Sequence, residues 1–178
     1  MARREPPVVT LVQLSAAAFA ALAAGDLAAA NAITPVPLTG YFSGPDWASV
    51  WRRRADQLVE HPEDAGWVTR VIWDPRGRVA VGRAGFHAAP DPDGLVEIGY
   101  AVTPEHRRRG YARAAFELLL DRAAREPAVR TVRVTISPGN TASQRLALPY
   151  GFAQVGEQLD DEDGLELVYE LGADRLRA

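Results

Sequence analysis

The chain has 178 residues, 47% of them hydrophobic, and a formal net charge of −3; this describes a soluble globular protein with length for one domain, residues 1–178, and argues against a general nucleic-acid binder. It has no cysteine, which excludes disulfides, thiolate catalysis and cysteine metal sites, and His61, His87 and His106 are too scattered to suggest a metal site. All 20 basic residues are arginine, which with the abundant alanine suggests a bacterial genome rich in G and C.

Arg3-Arg4 ahead of an alanine-rich stretch resembles a secretory leader, but Glu5, Pro6 and Pro7 interrupt it early and Gln13 breaks its middle. No run approaches the roughly 20 apolar residues of a membrane span. The better parse makes Val8–Leu14 a strand and Ser15–Ala24 a helix capped by Ser15, with Leu14 and Phe19 as a hydrophobic staple. That parse favours a cytoplasmic protein with no membrane partner. Asn31–Pro45 is rich in proline and glycine and reads as a loop. Asp46 then caps a second helix that ends at His61-Pro62. Arg52-Arg53-Arg54 on this helix reads as a solvated face. Trp47 and Trp51 mark either a dimer surface or a core-facing side of the helix.

Trp67–Trp73 and Arg78–His87 read as strands joined by the turn Asp74-Pro75-Arg76-Gly77. A second turn, Asp91–Gly94, leads into a strand over Leu95–Val102, completing an antiparallel meander. Ala112–Arg125 has helical apolar spacing and stops at Pro127. Val129–Ile136 alternates as a strand with Val132, Val134 and Ile136 on one face. Asn140 caps a short helix ending near Pro149, and Phe152–Gln158 and Leu165–Leu171 form a hairpin around the acidic turn Asp160–Gly164.

Chemistry concentrates between Glu97 and Ala124. There a strand meets the turn Arg107-Arg108-Arg109-Gly110, which opens a long amphipathic helix at Tyr111-Ala112-Arg113. A helix start carries unpaired N–H donors and a partial positive charge, so it attracts phosphate. Gly110 lets the backbone approach an anion closely, and arginines add forked donors.

This arrangement resembles the acyl-CoA pyrophosphate loop of the GNAT acetyltransferase superfamily. That signature is Gln or Arg, two variable residues, Gly, one variable residue, then Gly or Ala, matched here by Arg107, Gly110 and Ala112. The element order also resembles the GNAT topology along nearly the whole chain. The resemblance implies an α/β (α+β) fold with a mixed, mostly antiparallel central sheet of about seven strands flanked by four helices. It also implies acetyl-CoA as donor and an amine as acceptor, either a protein N-terminus or a small molecule. A homodimer is compatible with it.

The residue roles follow from the same resemblance. Backbone amides of Arg108–Arg113 would hold the pyrophosphate, with Arg107, Arg108 and Arg109 near the CoA phosphates. Ala101 and Val102 would pair with the pantetheine amides as an added strand would, in a gap between Tyr100–Val102 and Ile136–Pro138. Asn140 resembles the family asparagine that bonds the pantetheine. Glu97 matches glutamates that serve as base; strand alternation puts Glu97, Gly99 and Ala101 on one face. Many GNAT enzymes place a tyrosine acid where this chain has Ala147. Asn140, Ser143, Gly151 and Phe152 instead resemble the Rim-type ribosomal-protein N-terminal acetyltransferases, which implies Ser143 beside the leaving thiolate. Tyr150 is an alternative acid. Tyr41, Phe42, Phe86 and His87 are candidates for the acceptor pocket, although each aromatic is equally read as a core anchor. The missing tyrosine also leaves open a non-catalytic acyl-CoA-binding module.

Overall fold

The computed structural model describes residues 6–160 and 164–177. Arg3, Arg4 and Glu5 of the leader-like stretch, and the middle of the acidic turn Asp160–Gly164, lie outside the described residues. Seven strands and five α-helices occur among the described residues, and the chain divides into two compact units. No helix is long and apolar enough to cross a membrane.

The first unit comprises the chain up to Gly85 together with Tyr100–Phe116. Strand β1 (Thr10–Val12) is shorter than the sequence suggests and pairs antiparallel with β2 (Arg70–Asp74), Leu11 opposite Ile72. Helix α1 (Ala16–Ala23) starts at Ser15, whose Oγ accepts the Ala18 N–H at 3.2 Å, and ends at Gly25 with φ of 75°. A further helix, α2 (Leu27–Ile33), follows at once, where the sequence reading placed a loop from Asn31 onward. The local signal was Asp26, whose Oδ1 accepts the Ala29 N–H as an N-cap. The fifth helix is this one. Beyond it, Asn31 holds the turn by bonding both the N–H and the C=O of Leu38.

Helix α3 (Pro45–Glu60) is capped by Gly44, not by Asp46. Pro45 lacks an N–H, so it suits the first helical position, where that donor has no acceptor, and Asp46 falls in the first turn near the positive helix end. Trp47 and Trp51 face inward. Trp51 is fully buried, stacks on Phe19 at 5.6 Å and donates its indole N–H to the Phe42 carbonyl at 2.6 Å. Arg54 belongs to this buried side and corrects the solvated-face reading for that position. Its Nε donates to Thr69 Oγ1 at 3.1 Å, and burial lowers its pKa to about 10. A 3-10 turn (Pro62–Gly66) delays β2 to Arg70. Strand β3 (Val79–Phe86) pairs antiparallel with β2 across a bulge at Ile72/Trp73. The C-terminal end of β4 (Leu95–Val102) lies so near β3 that a Cβ at Gly82 would collide with the Ala101 carbonyl.

The second unit comprises Phe86–Gly99 and the chain from Glu117 onward. The N-terminal end of β4 pairs parallel with β5 (Thr131–Ile136), and the register ends at Glu97 opposite Arg133. Strand β5 pairs antiparallel with β7 (Gly164–Gly172), which pairs with β6 (Ala153–Asp160). Val132, Val134 and Ile136 are buried as the alternation requires. Helix α4 (Tyr111–Arg125) begins in the first unit and ends in this one, and α5 (Thr141–Ala147) is short. Near the C-terminus, Arg177 donates to the carbonyls of Ala124, in the last turn of α4, and of Glu126 and Val129 just beyond it.

Candidate active site

The loop between β4 and α4 is held from both sides. Thr103, fully buried, donates its N–H to Val81 O at 2.9 Å, and its hydroxyl lies 2.7 Å from His106 Nδ1. Arg107 turns back so that its Nε donates to Val102 O at 3.0 Å. That bond ties the first signature arginine to the strand end. Arg108 and Gly110 then adopt left-handed backbone angles, φ of 60° and 89°. For arginine this conformation costs about 1 kcal/mol or more, so the surrounding structure imposes it. Such turns aim successive N–H groups to one side and make anion-binding concavities. The Ala114 N–H takes the first helical bond, to Gly110 O at 3.0 Å. The Ala112 and Arg113 amides precede it and have no acceptor within the helix. Arg107, Arg108, Arg109 and Gly110 are exposed.

Tyr111 serves as an anchor. Its ring is buried, and its hydroxyl donates to Asp74 Oδ2 at 2.7 Å. Asp74 Oδ1 accepts from the Arg76 and Gly77 amides, both at 2.9 Å. Burial by itself raises the Asp74 carboxyl, but the Gly77 amide, the Tyr111 hydroxyl, the Arg76 amide and the Arg76 charge together hold it below its ordinary value. The β2–β3 turn thereby fixes the first residue of α4.

In the second unit Glu97 stands in a polar group of three. Thr135 Oγ1 donates to Glu97 Oε1 at 2.7 Å, and His87 Nδ1 lies 3.6 Å from the same oxygen. The Glu97 side chain is 18% exposed and that of His87 is 48% exposed. The partly buried carboxylate therefore still reaches solvent. Gly99, two residues along the same face, makes room for the imidazole: a Cβ there would sit 2.8 Å from His87 Nε2. Sequence reading missed Thr135. Its position opposite the Val132–Ile136 core face was visible, but its neighbour on another strand was not.

At α5, Asn140 Oδ1 accepts the Ser143 N–H at 3.1 Å as the N-cap. Ser143 is partly exposed. Tyr150 donates its hydroxyl to Glu117 Oε1 at 2.6 Å, which commits its proton elsewhere. Among the acceptor candidates, Tyr41 is half-buried against Trp47 at 5.0 Å, whereas Phe42 and Phe86 are fully buried. Those two rings are core residues rather than pocket lining, because no face of either reaches solvent. Phe86 lies under the Arg122 guanidinium at 5.9 Å.

The chain matches the family described as "Acetyltransferase (GNAT) domain" over residues 9–153. It is a member of the GNAT acetyltransferase family. A relative of this GNAT protein in Streptomyces coelicolor (strain ATCC BAA-471 / A3(2) / M145), named L-2,4-diaminobutyric acid acetyltransferase, is 42% identical over 112 residues, covering 57% of this chain and 65% of the relative. YjdG of Bacillus subtilis (strain 168), named an uncharacterized N-acetyltransferase, is 30% identical over 95 residues, covering 53% of this chain and 56% of the relative. The chain thus spans between half and two thirds of each of these relatives. Ribosomal-protein-S5-alanine acetyltransferase from Vibrio fischeri superimposes with a TM-score of 0.65 at 16% identity, covering 98% of both chains. A chimera of spermidine N-acetyltransferase SpeG from Vibrio cholerae and hSSAT gives 0.66 at 15% identity, covering 94% of this chain and 97% of that one. At such identities the likeness is one of fold: the mixed, mostly antiparallel seven-stranded architecture expected from the sequence, with five helices in place of the expected four.

Proposed function

We propose that this GNAT protein is a cytoplasmic, acetyl-CoA-dependent N-acetyltransferase of the Rim-like branch, moving an acetyl group to a primary amine by direct attack on the thioester. The observation that carries this reading is the loop itself, with left-handed Arg108 and Gly110 opening α4 immediately after β4. Its amides suit a diphosphate, and Arg108 and Arg109 are exposed beside it. Ala101 and Val102 offer backbone groups to the pantetheine, and Asn140 offers its side-chain amide.

Glu97 is the base. The acceptor ammonium yields its proton to the carboxylate, and the amine nitrogen then attacks the thioester carbon. When the carbon–sulfur bond breaks, the electron pair leaves on sulfur, and the second proton, still on the acylated nitrogen, passes through solvent to the thiolate, giving the neutral amide and CoA thiol. Ser143 steadies that thiolate by a hydrogen bond; its hydroxyl is too weak an acid to be an efficient proton donor.

The names of the relatives set the acceptors to try first. L-2,4-diaminobutyrate follows from the Streptomyces relative. A peptide beginning with alanine follows from the Rim-type neighbour. Release of free CoA thiol over this panel tests the proposal, with thermal shift by CoA as a parallel reading. Turnover with one amine supports the enzyme. Stabilisation by CoA with no turnover over a broad panel favours the non-catalytic acyl-CoA-binding alternative, which Ala147 in place of the family tyrosine motivates.

A further inference from the structure

The two oxygens of Glu97 are not equivalent. Oε1 accepts the Thr135 hydroxyl at 2.7 Å and is the oxygen nearest His87 Nδ1, at 3.6 Å. Oε2 accepts no hydrogen bond among the described residues. The cation next in register, Arg133 on β5, is committed elsewhere: its Nε and Nη2 both donate to Glu170 Oε1 on β7, at 3.0 and 2.6 Å. The charged and titratable groups facing Glu97 are therefore His87 from the end of β3 and, one step removed, the mutually neutralising Arg133–Glu170 pair. A neutral hydroxyl, not a salt bridge, makes the short contact that fixes the carboxylate.

We propose that Thr135 is a positioning residue for the reaction, holding Glu97 Oε1 so that Oε2 is presented to the acceptor amine. A full salt bridge to Arg133 would stabilise the carboxylate strongly and weaken it as a proton acceptor. A single hydroxyl donor orients the group without placing a charge against it. Thr135 is two residues from Arg133 on the same face of β5, and it reaches Glu97 without bringing a charge. This inference rests on Glu97 being the base.

The test pairs kinetics with a spectroscopic reading that does not need turnover. Thr135→Val removes the hydroxyl at nearly constant shape, and Thr135→Ser restores it. In Thr135→Val, kcat falls about tenfold while KM for acetyl-CoA is unchanged. The carbon chemical shift of the Glu97 side-chain carboxyl at neutral pH moves in Thr135→Val, because Oε1 has lost its hydrogen-bond donor. Thr135→Ser returns both readings toward wild type. An unmoved carboxyl shift in Thr135→Val, or equal losses in the Val and Ser variants at matched thermal stability, overturns the proposal. If the wild-type protein acetylates no amine but the carboxyl shift still moves, the enzymatic reading fails while control of Glu97 by Thr135 stands.

Discussion

The hydroxyl of Tyr111 donates to the Asp74 carboxylate across 2.7 Å, joining the first residue of α4 to the turn between β2 and β3. A turn that looks purely structural thereby sets where the helix amides begin. Tyr111→Phe removes the donor and leaves a buried carboxylate with two backbone partners. We expect a loss of about 1–2 kcal/mol in urea unfolding at neutral pH, together with a raised KM for acetyl-CoA.

The same pair has a pH signature. Asp74 is depressed in the folded protein below its ordinary value of 3.8. A carboxyl depressed on folding stabilises the protein fully above that ordinary value, and the contribution is lost as pH falls through the lower folded value. The stability gap between wild type and Asp74→Asn should therefore be widest above pH 3.8 and narrow below it. A gap that stays constant to the lowest pH at which the protein folds would show that the Asp74 charge contributes nothing.

Gly110→Ala places a Cβ on a residue with φ of 89° and within 3.0 Å of Pro7 Cδ. Backbone strain of about 1–3 kcal/mol is expected. The thermal shift produced by CoA should shrink more than that of an exposed control outside the loop such as Arg125→Ala. Equal shifts in the two variants would remove the loop backbone from donor binding.

Glu97→Gln keeps the shape of the side chain and the Thr135 contact but removes the proton acceptor. Turnover should fall about 100-fold or more, with little change in KM for acetyl-CoA. Ser143→Ala should cost about tenfold or less, since a hydrogen bond to a leaving thiolate is worth less than the base. Full activity in Glu97→Gln would take that residue out of the mechanism.

Arg177→Ala removes three bonds to the carbonyls behind α4, those of Ala124, Glu126 and Val129. The guanidinium is exposed, so the expected loss is small, about 1 kcal/mol. Hydrogen exchange should speed up at the end of α4 and leave the β2–β3 turn unchanged.

Much of the fold could be read along the chain because its signals are local. Ser15 and Asn140 cap helices as their spacing indicated, and β4 has the bounds read for it. Two errors were also local. Asp26 is the cap that starts α2, and Pro45 at the first helical position moves the cap of α3 from Asp46 to Gly44. Arg54 failed for a different reason: whether a charged helix face meets solvent depends on what packs against it. Here Thr69 meets the Arg54 guanidinium, and the side chain is buried.

The family, the run from strand through loop to helix, and Glu97 as the carboxylate of interest are all written in neighbouring residues and their spacing. That Tyr111 rests on Asp74, that Phe42 and Phe86 are core, and that Thr135 and His87 flank Glu97 emerges from folding alone. Those relations join residues far apart in the chain. Strand order and register bring them together, and both are set by the burial of whole faces rather than by any short stretch of residues.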